Sequence, residues 1–89
     1  MPQSLKIITV DVSELAPPEP MRVILSHLAK LSDQECLQVK HRRQPFPLYE
    51  NLGVAGFAYH CVIHKPDDVT LYIYHSNAQQ AFECLIKNN

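Results

Sequence analysis

The chain has 89 residues, 46% of them hydrophobic and 19% charged, with a formal net charge of −1. That length is one domain with a modest core, and that composition is globular rather than disordered. Lys and Arg number 8 against 9 Asp and Glu, with no polybasic run, which argues against nucleic acid and against membrane surfaces as partners.

The chain opens with "MPQSLKIITVDV", which has a single Lys and no apolar run long enough for a signal h-region. No stretch approaches the ~18 apolar residues of a membrane span. A cytoplasmic location is the expectation. Within this segment "LKIITVDV" is β-branched and continuous, as in a buried strand. "SELAPPEP" cannot continue it, because proline fixes φ and lacks the amide donor. Met21, Ile24, Leu25, Leu28 and Leu31 then recur at helical spacing, which predicts a helix from about Glu19 to Lys30. Pro18 and Pro20 fall at its first turn, where amides have no helical partner.

"ECLQVKH" alternates as a second strand, with Leu37 and Val39 inward, and "RRQPFP" breaks it. "PLYENLGVAG" reads as a short helix with Leu48 and Leu52 inward, closed by Gly53 or Gly56. "FAYHCVIH" and "VTLYIY" are two more strands about the turn "KPDD". "SNAQQAFECLIK" is a last helix with Ser76 or Asn77 as its cap and Ala78, Ala81, Phe82 and Leu85 as its stripe. The order is β-α-β-α-β-β plus a C-terminal helix at about 77–87. It predicts an α/β (α+β) two-layer sandwich, a four-stranded mixed sheet with two helices on one face. Residues 1–89 form a single domain with its core at about 5–75.

The prolines carry a resemblance. "DVSELAPPEP" leading into the first helix, with this order of elements, resembles the TusA/SirA-like proteins, small sandwiches that include sulfur carriers. Their Cys-Pro-x-Pro motif is matched here by Pro17-Pro18-Glu19-Pro20, with Pro17 at the thiol position. "HRRQPFPLYENLGVAGFAYHC" is similar to an uncharacterised bacterial branch of that superfamily, a domain of unknown function. The resemblance covers roughly residues 7–75. It implies the fold and not the activity, since proline offers no nucleophile for persulfide relay.

The three cysteines, Cys36, Cys61 and Cys84, have neither disulfide-framework nor zinc-site spacing. They read as reduced thiols that pack as small apolar side chains.

Two constellations remain. If the first two strands are parallel neighbours, the loops after them share one sheet edge, where open α/β sheets bind ligands. That edge gathers Asp11, Glu14 and Glu19 from one loop and His41, Arg42, Arg43 and Tyr49 from the other. Arg43 would meet an anion, helped by two helix N-termini. The competing reading is structural: Glu19 complements its helix dipole and Asp11 caps the loop or pairs with an arginine. The ligand or partner set of this reading is Asp11, Glu19, His41, Arg43 and Tyr49.

In the hairpin, pairing His64 with Thr70 sets Val62 against Tyr72 and His60 against Tyr74. His60, Val62, Tyr72 and Tyr74 then share a face without a helix layer. The C-terminal helix folds over that face, or a second copy of the chain covers it as a homodimer, or His60 and His64 hold a metal or haem. At ~3.3 Å rise per residue those two histidines stand ~13 Å apart, too far for one ion without help. No cofactor is expected. The function expected is a non-catalytic binding or regulatory module for a protein partner or small anion. The alternatives are a sulfur-carrier or redox protein using a non-standard cysteine, or a metal- or haem-associated protein.

Overall fold

The structure is a computed structural model that describes residues 5–87. Strand β1 (Lys6–Asp11) leads to helix α1 (Glu19–Leu28), strand β2 (Glu35–His41), helix α2 (Phe46–Val54), strand β3 (Phe57–Lys65) and strand β4 (Asp68–His75). A single 3-10 turn, Ser76–Ala78, then runs into helix α3 (Gln79–Lys87). The strands form one mixed sheet in the order β1-β2-β4-β3, with β1 parallel to β2 and the other pairs antiparallel. The architecture is the α+β sheet-and-helix arrangement expected from the pattern of elements.

Position in the sheet explains the burial. β2 is central, and its alternation serves two cores. Leu37 and Val39 face α1 and α2 and join Ile24, Leu28, Leu48, Leu52, Leu71 and Ile73 in the main core. Cys36 faces the other way and joins Leu5, Tyr74, Ala78 and Phe82 under α3. Each large apolar side chain buried in this way stabilises the fold by roughly 1.5–3 kcal/mol.

Several expectations are corrected. β1 is an edge strand rather than a buried one. Ile8 and Val10 pack inward, but Ile7 stays 36% exposed. The helix after the proline run ends at Leu28, and Leu25 lies 44% exposed off its buried stripe. Neither Ser76 nor Asn77 caps the last helix through its side chain. The His75 Nε2 donates to the Leu31 carbonyl at 2.7 Å, tying the end of β4 to the loop after α1. The α2 helix stops as anticipated. Ala55 closes it, and Gly56 takes φ +89°, a left-handed conformation that favours glycine.

The hairpin register differs by two residues from the expected one. His60 faces Tyr72, Val62 faces Thr70, Ala58 faces Tyr74, and Lys65 faces Asp68 across Pro66–Asp67. The ladder is irregular between Ile63 and Lys65, so His64 is accommodated as a bulge. A bulge adds a residue without changing the period-2 pattern on either side, so the alternation could not reveal it.

The open face is covered in part by α3. Phe82 stacks on Tyr74, with ring centroids 4.2 Å apart and planes 14° apart. Tyr72 and His60 flank it at 5.7 and 5.9 Å. Among the described residues no helix is long and apolar enough to cross a membrane.

Candidate functional site

The parallel pairing of β1 and β2 sends the chain out of both strands at the same edge of the sheet, and the two loops meet there. Between them lies an open cavity of about 340 Å³. That is near the lower end of the ~300–1,000 Å³ typical of small-molecule pockets. Five prolines form its walls: Pro17, Pro18 and Pro20 from the first loop and helix, Pro45 and Pro47 from the second. Val12, Leu15 and Met21 add apolar surface. Ser13, His41, Arg42, Arg43 and Gln44 supply the polar part, and among the described residues no carboxylate lines the cavity.

The backbone of each loop is held by its own sequence. Val12 donates to the Lys40 carbonyl at 2.9 Å, which fastens the first loop to β2. Asp11 accepts from the Ser13 hydroxyl at 2.6 Å and the Ser13 amide at 2.9 Å, an Asx-type turn. These bonds hold its carboxyl below the usual range, the hydroxyl bond first. The Pro17–Pro18 peptide is cis. In the second loop the buried His41 ring takes the same role. Its Nδ1 accepts the amides of Arg42 at 2.9 Å and Arg43 at 3.2 Å. The neutral ring therefore carries its proton on Nε2. Burial, with Arg43 and then Arg42 nearby, pushes this imidazole below its ordinary range.

Of the five site residues expected from the sequence, the structure brings His41 and Arg43 to the cavity and leaves three outside its lining. Asp11 turns to Ser13. Glu19 pairs with Arg22 at 3.4 Å on the exposed side of α1, a surface ion pair of small energy. Tyr49 lies on α2 with its ring stacked on Tyr59 at 4.0 Å and its hydroxyl 3.4 Å from Gln44 Oε1. Burial pushes that phenol well above its usual range. The apolar walls were missed as lining: Leu15, Met21 and Pro47 read in the sequence only as turn and helix residues.

The expected help from helix amides is also revised. Pro18, Pro20, Pro45 and Pro47 have no N–H. Glu19 donates to the Ala16 carbonyl, Phe46 to Gln44 and Leu48 to Pro45. Only Met21 supplies a remaining amide at N-cap to N3 of either helix. The charge at this cavity therefore rests on side chains. Arg42 and Arg43 are exposed, and among the described residues the one ion pair is that of Arg22 with Glu19.

None of the three cysteines lines the cavity. Cys36 is fully buried, and burial pushes its thiol up to about 12. Cys61 is half-buried on the α2 side and Cys84 is exposed on α3. On the opposite face His60 packs against Phe82, and the His64 ring lies 3.0 Å from Thr70 Oγ1. Val62 is half-buried. Among the described residues no three His, Cys, Asp or Glu side chains form a group that could hold a metal ion.

The model of a conserved protein family, described as uncharacterized conserved protein (DUF2249), matches residues 9–75, from the end of β1 to the end of β4. Comparison with the curated proteins and with the solved structures finds no match.

Proposed function

The chain belongs to the DUF2249 family, and we propose that it works as a non-catalytic binding or regulatory module whose site is the cavity after β1 and β2. The observation that carries this reading is the make-up of the cavity. Rigid apolar walls stand beside Arg42 and Arg43, with no carboxylate in the lining. Cations without ionic partners among the described residues, beside apolar surface, suit an anion with an apolar body. The site lies where open α/β sheets collect ligands.

The resemblance to TusA/SirA-like proteins supports the same location and a bacterial, cytoplasmic setting. Pro17, at the position of the carrier thiol, lines the cavity. Against a cysteine-based carrier stands the distance of the thiols from this place: Cys36 is sealed in the core, and neither Cys61 nor Cys84 belongs to the lining.

A titration of the full chain with naphthalene-2-sulfonate, followed by ¹H–¹⁵N correlation spectra, tests the reading. The amides of Met21, Arg42, Arg43 and Gln44 should shift and saturate, and the Arg42→Ala/Arg43→Ala double variant should lose the response while remaining folded. Shifts confined to α3 and the hairpin would defeat it.

A further inference from the structure

We infer that the cavity selects a small organic acid, an apolar body with one carboxylate, over a phosphate ester of the same body. The inference rests on the binding reading above and names its ligand class.

The walls set the body. Proline rings and the side chains of Val12, Leu15 and Met21 give no hydrogen bonds, so a polar group pressed against them loses its water without replacement. The fixed proline rings also keep the wall from rearranging around a differently shaped polar guest.

The donors set the head group. Protein phosphate sites are built largely from backbone amides that converge on the oxygens, at helix N-termini or in nests of successive N–H groups. Here most of those amides are absent or already committed, and among the described helix starts only that of Met21 remains. Four prolines occupy the key positions of the two helix starts. The amides of Glu19, Phe46 and Leu48 go to carbonyls, as does that of Leu15 to Val12. Ser13 gives its amide to Asp11, and Arg42 and Arg43 give theirs to His41. A phosphate ester would bring three oxygens and close to two charges to a place with few amides to receive them. A carboxylate has two coplanar oxygens, and one guanidinium fork satisfies both. Arg42 and Arg43 are the forks on hand, with no Asp or Glu in the lining to neutralise them.

Three matched probes, 3-phenylpropanoate, 2-phenylethyl phosphate and 3-phenylpropanamide, separate the terms when titrated into the full chain at pH 7.5 in the same spectra. The acid should bind at least tenfold tighter than both others, with shifts at Met21, Arg42, Arg43 and Gln44. In the Arg42→Ala/Arg43→Ala variant its advantage over the amide should shrink to within twofold. A phosphate ester that binds as tightly as the acid overturns the inference, and so does an equal amide. A pentapeptide ending in Phe with a free carboxyl terminus that binds more than tenfold tighter than the free acid would also overturn it, in favour of a protein partner. If naphthalene-2-sulfonate binds and the phosphate wins, only this inference falls. If none of these probes shifts the cavity, the binding reading falls with it.

Discussion

The Nδ1 of His41 and the backbone amide of Arg43 are 3.2 Å apart, and the same nitrogen accepts from Arg42 at 2.9 Å. One buried imidazole thus shapes the turn that presents both arginines. Protonating Nδ1 would replace an acceptor with a donor and break both bonds.

The pH dependence follows with a definite sign. Burial and the two arginines hold the folded-state pKa of His41 below the ordinary 6.5. A histidine depressed in this way stabilises the fold fully above the unfolded-state value, and that contribution is lost as pH falls below about 6.5 through the folded value. His41→Gln should therefore cost about 1–2 kcal/mol at pH 7.5, for two hydrogen bonds, and progressively less toward pH 4.5. Urea unfolding of both proteins across that range measures it. A difference that grows on acidification would contradict the assignment.

Arg43 is exposed and makes no ion pair among the described residues. Arg43→Ala should leave stability within about 0.5 kcal/mol, as for most surface changes, and weaken naphthalene-2-sulfonate binding about tenfold, the loss of one charge-assisted contact. Calorimetric titration at two salt concentrations should also show a shallower salt dependence in the variant. Unchanged affinity would remove Arg43 from the site.

Phe82 is 2% exposed between the rings of Tyr74, Tyr72 and His60. Phe82→Ala should cost about 3 kcal/mol, the lower part of the range for buried Phe truncations, and release α3 from the sheet. Chemical denaturation gives the first number and amide exchange along β4 the second. A loss under about 1 kcal/mol would mean that α3 contributes little to the second core.

His75→Phe keeps a ring beside Phe57, now 4.6 Å from the imidazole, but leaves the Leu31 carbonyl without its donor. The expected loss is about 1 kcal/mol, read from the thermal midpoint. A variant as stable as the parent would show that water replaces the bond at no penalty.

The thiols should react in the order Cys84, Cys61, Cys36. Cys84 is exposed, Cys61 half-buried, and Cys36 buried with its thiol pushed up to about 12. Timed alkylation with iodoacetamide at pH 8, read by peptide mass spectrometry, gives the order. Cys36 labelling as fast as Cys84 would mean that the second core opens readily.

The elements were legible because burial follows period. Leu37 and Val39 alternate and are buried, and Ala78, Phe82 and Leu85 recur at helical spacing and pack. The meeting of the two loops was legible for the same reason, since a β-α-β crossover implies parallel neighbours. What lay beyond reach depended on single bonds. The Ser13 hydroxyl draws Asp11 away from the cavity, and Tyr59 holds Tyr49 beyond its rim. A two-residue turn at Pro66–Asp67 and a bulge at His64 each moved the hairpin register by one residue, and no periodicity records either. The prolines were visible as helix starters, but their removal of anion-binding amides emerged only when the remaining donors of the two helix starts were traced to their acceptors.

The β1–β2 ladder runs parallel while β3, β4 and α3 lock the far half of the sheet through Tyr74 and Phe82. Recognition and anchorage thus occupy separate territories of a very small protein. Residues 13–18 and 42–47 could be rewritten together, as a pair of exchangeable fingertips, while the palm beneath them keeps its own means of staying folded.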